Sequence, residues 1–488
     1  MICVVIKGPS VKKAFSQIAQ AIPYADLIEL RIDLFEEIEL NGLKELCKES
    51  KIPMIFTLRS ALQGGKYVDT ETQHLNDLRN LATLKPCYLD LESHVPPAFV
   101  AEIAASHPEI KLILSHHDFT GTPSNLDELY EDMKKISVWG YKIAVTAGCS
   151  LDGLRFLSWA KNAKGNLIAI SMGPHGQISR ILAPVIGSPI TYASLEDEQQ
   201  TAPGQLSAKV LIHRYRYRTL TPQTALYGLI GDPVEQSISD QTHNAVFQHI
   251  GIDTVYIKIQ VKGEDLKAWL ELAKKLSFKG FSVTMPLKEV VLPYLDEVIP
   301  QARAIGAVNT LFLKDEKWIG SNTDSIGALN AIEKKISVKG KRLVILGAGG
   351  AAKAIAYEGA RRGAFITIIN RDVTRAQQIG KSVNGKAKGL DKMSECRDEG
   401  YDILINCTPA AMPIESEDIL PNAIVMDIKT KPKETVFLQC AKTRGCEVIY
   451  GYEMFVEQAL GQFDLWFKEK CSMEQCRDIL EKNVLEIL

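Results

Sequence analysis

Short runs of apolar, β-branched residues punctuate the first 200 positions. They are "ICVVI" (2–6), "DLIELRI" (26–32), "PMIFTL" (53–58), "CYLDL" (87–91), "KLILSH" (111–116), "YKIAV" (141–145), "LIAISM" (167–172) and "ITYA" (190–193). Each has the length of a buried strand. Most are separated by stretches with helical periodicity, such as "SNLDELYEDMKKI" (124–136), where Ser124 predicts a cap and acidic residues fill the first turn. Strand and helix in alternation imply a parallel sheet. Eight such units predict a (β/α)8 TIM barrel over residues 1–218.

Polar residues gather at the C-terminal ends of these strands, where barrels carry their chemistry. Strand two has Glu29, Arg31 and Asp33 on one face by period-two alternation. Strand three ends in Arg59, strand four in Asp90 and Glu92, strand five in His116, His117 and Asp118. Strand six holds Lys142 inside "WGYKIAVTAG" (139–148). A charged ammonium buried there needs either an ion pair or a lowered pKa. His117 and Lys142 lie on consecutive strands, so their side chains share the barrel mouth. A neutral amine attacks a ketone, the cationic imine acidifies the neighbouring C–H, and an imidazole removes that proton. Arginines 31, 59 and 180, with Glu29, suit a hydroxylated carboxylate as substrate.

Composition narrows the picture. With 57 basic and 59 acidic residues, nothing draws the chain to nucleic acid or a membrane surface. The run in "MICVVIKGPS" is too short for a secretory signal, and no stretch reaches the length of a membrane span. The 10 cysteines are scattered, with no CxxC and no adjacent histidines. A cytoplasmic protein without a metal site is expected; the oligomeric state is not set by the sequence.

Several first-half motifs, "ELRID" (29–33), "FTLRS" (56–60), "SHHDF" (115–119), "YKIAV", "ISMGPHGQISR" (170–180) and "APGQ" (202–205), resemble type I 3-dehydroquinate dehydratase. The resemblance implies a Schiff base on Lys142, acid/base work by His117, and substrate binding by Glu29, Arg31, Arg59, Arg180, Thr201 and Gln205. It implies loss of water from 3-dehydroquinate to give 3-dehydroshikimate. Gln63 stands where the family usually has a glutamate that assists the histidine, and Thr201 where a serine is common.

"RYRYRTLTPQTA" (214–225) breaks the pattern and reads as an amphipathic last helix running into a linker, with the boundary near residue 220. A smaller α/β domain follows over residues 222–324, with strands at "ALYGLIG" (225–231), "TVYIKIQV" (254–261), "FSVTM" (281–285) and "AVNTLFL" (307–313). Then "KRLVILGAGGAAKAIA" (341–356) runs strand, glycine turn, helix, and Gly347, Gly349 and Ala352 satisfy G-x-G-x-x-G/A. The next strand, "AFITIIN" (364–370), ends in Asn370 and Arg371. Arginine there suits a 2′-phosphate, which favours NADP, although Asp372 follows.

"GDPVEQSISDQTHN" (231–244), "VTMPLK" (283–288), "GAVNT" (306–310), "NTD" (322–324), "GAGGAA" (347–352), "INCTP" (405–409) and "GYEMFVEQALGQF" (451–463) resemble shikimate dehydrogenase. The resemblance implies a Rossmann NADP-binding domain over 325–455 and C-terminal helices at about 456–488 returning to the substrate domain. It implies that Ser237, Ser239, Thr284, Asn309 and Gln458 hold substrate. Lys288 and Asp324 would be the catalytic pair. Gly347, Ala348, Gly349, Gly350, Ala351, Asn370, Arg371, Thr408 and Gly451 would meet the cofactor. Departures are Gln236, Asp240 and Thr430, where histidine, proline and tyrosine are usual; Asp240 is expected to place an acid near a carboxylate site. The expected product of the first half is the expected substrate of the second, so the chain reads as a bifunctional enzyme. An aldolase barrel fused to another reductase and a ligand-sensing regulator built on degenerate domains are the alternatives.

Overall fold

In a computed structural model the chain is described over residues 1–196, 204–467 and 472–488. Thr201 lies outside the described residues. Two compact units emerge: residues 1–225 with 253–261 and 268–277, and residues 226–252, 262–267 and 278–488. The two units interleave along the chain after residue 225. Arg216 donates to the Thr254 carbonyl and Lys161 Nζ to Ser277 Oγ at 3.2 Å, which ties both later segments to the first unit.

The first unit is an eight-stranded parallel barrel. Its strands are β1 (Ile2–Ile6), β2 (Leu27–Arg31), β3 (Met54–Thr57), β4 (Tyr88–Glu92), β5 (Lys111–Asp118), β6 (Gly140–Thr146), β7 (Leu167–Met172) and β8 (Thr191–Ala193). The order β7-β6-β5-β4-β3-β2-β1-β8 leaves a seam between β7 and β8, so the barrel is nearly closed. Side-chain hydroxyls serve the free edge of β7: Ala169 N–H donates to Ser188 Oγ at 3.2 Å and Ser171 N–H to Ser179 Oγ at 2.9 Å. Such substitution is required because a buried, unpaired amide costs about 1–3 kcal/mol.

Period-two alternation builds the barrel interior. Cys3, Leu27, Ile55, Tyr88, Ile113 and Ile168 form its apolar floor. Two or four residues further along, the same faces present Glu29 and Arg31, Thr57 and Arg59, Asp90 and Glu92, Ser115 and His117. Strands β2 to β5 thus switch from apolar to polar along one face, which raises the chemistry onto a packed base.

Two local expectations need correction. The helix expected at Ser124 is Leu126–Lys134, with Asn125 at its N-cap and no capping side-chain bond. The stretch 214–219 is not helical throughout: the last barrel helix ends at His213, and a short 3-10 turn spans Tyr217–Thr219. Tyr215 and Tyr217 are buried there as apolar anchors.

Strands β9 (Ala225–Gly231), β10 (Thr254–Gln260), β11 (Phe278–Val283), β12 (Glu297–Val298), β13 (Thr310–Lys314) and β14 (Lys317–Ser321) follow. In the second unit the run β9-β11-β13-β14-β12 forms a mixed sheet. A second, all-parallel sheet has the order β17-β16-β15-β18-β19-β20. Its strands are β15 (Arg342–Leu346), β16 (Phe365–Asn370), β17 (Lys386–Gly389), β18 (Ile403–Asn406), β19 (Ile424–Asp427) and β20 (Glu447–Ile449). This is the doubly wound dinucleotide order, with its switch point at β15 and β18. Apolar clusters cover both faces of that sheet. The helix returning to the substrate-side layer begins at Gly451 and runs to Phe467, a few residues before the expected start, and a last helix spans Met473–Ile487. No helix among the described residues is long and apolar enough to cross a membrane.

Candidate active sites

The barrel mouth holds a cavity of about 100 Å³ lined by Glu29, Arg31, Arg59, Gln63, His117, Lys142, Arg180, Tyr192 and Gln205, among others. Lys142 is 4% exposed. Its Nζ lies 3.6 Å from Glu29 Oε1 and 3.5 Å from Asp90 Oδ2, and 4.0 Å from the centre of the Tyr192 ring. Carboxylates and an aromatic face together stabilise a cation at that nitrogen. Register sets these neighbours: Lys142 pairs with Ser115 and Ala144 with His117, so one inward row carries amine and imidazole at successive levels.

Arg59 is the hub of the buried charges. Nη2 donates to Asp90 Oδ1 at 2.9 Å, and Nη1 to Ser115 Oγ at 2.7 Å and Glu92 Oε1 at 3.3 Å. Burial alone would raise the Asp90 pKa; Arg59, Lys142 and the Ser115 hydroxyl outweigh it and hold the carboxylate below its ordinary range. Arg31 is paired with Asp33 by two 2.8 Å bonds at the rim. Among the described residues Arg180 has no carboxylate within bonding reach: Nη1 donates to the Tyr192 carbonyl at 3.1 Å and Nε has no partner there. Burial pushes this guanidinium down to about 10, so it stays charged at neutral pH and is left to meet an incoming anion.

Gln63 fixes the state of His117. Its Oε1 accepts the His117 backbone N–H at 2.7 Å, which sets the amide orientation. The same oxygen lies 3.2 Å from Nδ1, so Nδ1 is the protonated nitrogen and Nε2 keeps its lone pair. Desolvation, then the cations Arg59, Lys142 and Arg31, lower the His117 pKa well below its usual value. His116 is directed elsewhere, with Nδ1 3.2 Å from Ser93 Oγ.

In the second unit a cavity of about 530 Å³ is lined by Ser237, Ser239, Thr284, Lys288, Asn309, Asp324, Gln458, Ala351 and Gly451, among others. Lys288, in the short helix Leu287–Val290, donates to Asp324 Oδ2, and Asn309 Nδ2 donates to Oδ1 of the same carboxylate at 2.8 Å. Asp324 opens the helix Asp324–Glu333. Ser237 and Ser239 are hydrogen-bonded through their hydroxyls at 2.9 Å. Gln236 and Thr430 also line this cavity. Asp240 does not: it is fully buried in the first turn of the helix Ser239–His249, so the expected acid beside the carboxylate site is turned into the fold.

A neighbouring cavity of about 610 Å³ is lined by Gly347, Ala348, Gly349, Asn370, Arg371, Arg375, Thr408 and others. Gly347 has φ +109°, a conformation that favours glycine, and starts the turn into the helix Gly350–Arg361. A Cβ on Gly350 would stand 3.2 Å from Lys288 Cβ, so this glycine lets the helix N-terminus close on the lysine. Asp372 is consumed as a cap, its Oδ1 accepting from Thr374 N and Arg375 N at 3.0 and 3.2 Å. That removes the acid expected to compete for a ribose and leaves Arg371 and Arg375 exposed beside the turn. These residues fit a phosphorylated dinucleotide.

Sequence reasoning missed Tyr192, Arg375 and Gln462. Gln462 is 1% exposed and joins Ser282 Oγ (3.0 Å), His243 Nε2 (3.2 Å) and Thr310 Oγ1 (3.2 Å) beneath the second site. Its place in a helix that returns over the sheet is a tertiary fact with no local signature.

A barrel with a buried lysine and a histidine, joined to a doubly wound unit with a lysine–aspartate pair, defines a chain with a lyase half and a dehydrogenase half. Residues 2–222 match the family described as type I 3-dehydroquinase. Residues 229–311 match the shikimate dehydrogenase substrate binding domain, and 330–444 the shikimate/quinate 5-dehydrogenase family. The chain is 36% identical to the shikimate biosynthesis protein AroDE of Chlamydia pneumoniae, over 98% of this chain and 97% of that one. It is 34% identical to the chloroplastic bifunctional 3-dehydroquinate dehydratase/shikimate dehydrogenase of Arabidopsis thaliana, over 96% and 82%. A crystal structure of a shikimate dehydrogenase in complex with NADP+ is similar with TM-score 0.50 and 38% identity, over 54% of this chain and 97% of that one. The chain belongs to the bifunctional 3-dehydroquinate dehydratase/shikimate dehydrogenase family.

Proposed function

We propose that the barrel dehydrates 3-dehydroquinate through an imine on Lys142 and that the second unit reduces the resulting 3-dehydroshikimate to shikimate with NADPH. The observation that carries this reading is the presence of two complete sets of reactive groups in one chain, Lys142 with His117 and Lys288 with Asp324.

In the barrel, the Lys142 amine adds to the ring ketone and water leaves to form the iminium. Glu29, Asp90 and the Tyr192 ring stabilise that cation. His117 Nε2 removes the proton α to the imine, and the β-hydroxyl departs as water after taking a proton from the same imidazole. Hydrolysis returns the amine and releases the enone. Arg180 binds the substrate carboxylate, Arg31, Arg59 and Gln205 its hydroxyls, and Thr201 is proposed on the family resemblance alone.

In the second unit, bound NADPH supplies the hydride. Lys288 gives a proton to the carbonyl oxygen as it becomes an alcohol; Asp324 orients the ammonium and Asn309 orients Asp324. Ser237, Ser239, Thr284 and Gln458 hold the ring hydroxyls and carboxylate. Arg371 and Arg375 meet the 2′-phosphate, and Gly347 to Ala351, Asn370, Thr408 and Gly451 surround the rest of the cofactor. A cytoplasmic setting agrees with nine described cysteines that are all unpaired thiols.

The test combines both halves. Purified chain given dehydroquinate and NADPH should yield shikimate, and borohydride added with dehydroquinate alone should leave an adduct on Lys142 by mass spectrometry. An adduct on another lysine, or none, would sink the imine. Lys142→Ala should abolish dehydration while shikimate oxidation by NADP persists.

A further inference from the structure

Outside both sites, one cluster on the barrel unit has ligands and no occupant role. A ring nitrogen of His74, a ring nitrogen of His94 and a carboxylate oxygen of Glu92 lie within 4.8 Å of one another. His74 comes from the helix Glu71–Thr83, and Glu92 and His94 from the end of β4 and the turn after it. Their spacing in sequence follows no metal motif; only the fold assembles them.

We propose that His74, Glu92 and His94 bind a divalent cation of the zinc class, with water in the fourth position. Glu92 supplies the independent sign. It is 2% exposed, and its Oε1 accepts from Ser60 N at 3.1 Å and Arg59 Nη1 at 3.3 Å. Its Oε2 accepts nothing, and lies 3.8 Å from His94 Nε2. A buried carboxylate oxygen without a donor is costly and calls for an occupant. Ligands about 2.0–2.2 Å from a tetrahedral ion stand about 3.4 Å apart, so closing this pair needs a shift of tenths of an ångström.

His74 is set for the same task. Its Nε2 lies 3.0 Å from the Leu58 carbonyl, which can only accept, so in the neutral ring Nε2 carries the proton and Nδ1 is the nitrogen with a lone pair to offer. A backbone carbonyl on the second nitrogen is the usual orienting partner of a metal-bound imidazole. The Tyr67 ring packs against His74 at 4.9 Å between centroids and limits its rotation. His94 is the exposed member and gives the ion a route in from solvent. Two imidazoles and a carboxylate favour zinc over magnesium or calcium, which prefer all-oxygen sites. The nearby Arg59 charge is already neutralised by Asp90, so it does not bar a cation from the far oxygen of Glu92.

Titration of the full chain with zinc chloride by calorimetry, paired with cobalt(II) absorption spectra, tests this. One saturable site per chain is expected, with d–d bands of a nitrogen- and oxygen-ligated tetrahedral ion. His94→Ala, an exposed change away from both reaction sites, should weaken zinc by at least about tenfold, since losing even an outer-shell partner costs that much. No saturable binding, thiolate charge-transfer bands in the cobalt spectrum, or unchanged affinity in His94→Ala would each overturn the site.

Discussion

In the barrel, most charged groups of the site stand on strands or in the turns directly after them, and oppositely charged side chains are paired at a cavity of about 100 Å³. Arg59 and Lys142 face Glu29 and Asp90, all buried. In the second unit the reactive pair stands at the starts of helices, beside cavities of about 530 and 610 Å³. The first arrangement suits covalent chemistry on one ligand, where a lysine must be held dry and a cation stabilised in place. The second suits two ligands that meet, so it has larger cavities and a smaller cluster of buried charge, Asp324 with Lys288. Buried charges are costly to desolvate and depend on each other; charge removal should therefore destabilise the barrel more than the second unit, whose buried pair is smaller.

The largest expected effect follows from that asymmetry. Asp90→Asn leaves Arg59 and Lys142 short of a carboxylate and should destabilise the barrel unit by about 3–5 kcal/mol, read from urea unfolding. Asp324→Asn should cost less stability than Asp90→Asn while lowering shikimate oxidation by about 10²-fold, the lower end of acid–base contributions. Equal loss of stability in both variants would erase the contrast. Next in size, His117→Ala should cost about 10²-fold or more in dehydration, and His116→Ala far less. The reverse ranking would mean that the inward row of β5 is misassigned.

How much of this was legible beforehand depends on whether the signal is local. The eight strands were readable because each is a short β-branched run, and the polar strand ends because period two places Glu29 and Arg31, or Ser115 and His117, on one face. Partner choice was not: Asp90 holds both Arg59 and Lys142, and Tyr192 faces the amine, only because three separate strands set the register. β14 was overlooked because Lys317–Ser321 is short and polar at its start, and the tight turn at Asp315 and Glu316, both with positive φ, carries no glycine to announce it. Asp372 reads in sequence as a ribose acid; its capping of the next helix becomes visible only with coordinates.

Smaller effects sharpen the same comparison. Arg371→Ala should erode the NADP preference by about tenfold, mainly through KM, the worth of roughly one charge-assisted hydrogen bond. Equal kcat/KM for NAD and NADP in the parent would refute the role. The smallest change is a shift on the pH axis. His117 works as a neutral base and its pKa is depressed by desolvation and neighbouring cations, so the acidic limb of the dehydration profile should lie below the ordinary histidine value. Gln63→Glu puts a negative charge beside Nδ1, raises that pKa and should move the limb upward. An unmoved limb would mean that the profile reports another group.

The hydroxyl-bridged seam between β7 and β8 has a mechanical consequence. Ladder bonds hold two strands at one spacing, whereas at this seam Ser188 links Ala169 of β7 to the Ile190 carbonyl through a hydroxyl. The strand ladder is therefore interrupted at one place only among its described strands, and Arg180 stands there, bonded to the Tyr192 carbonyl on the far side. Lys142 and His117, by contrast, stand on β5 and β6, which are paired along their whole shared length.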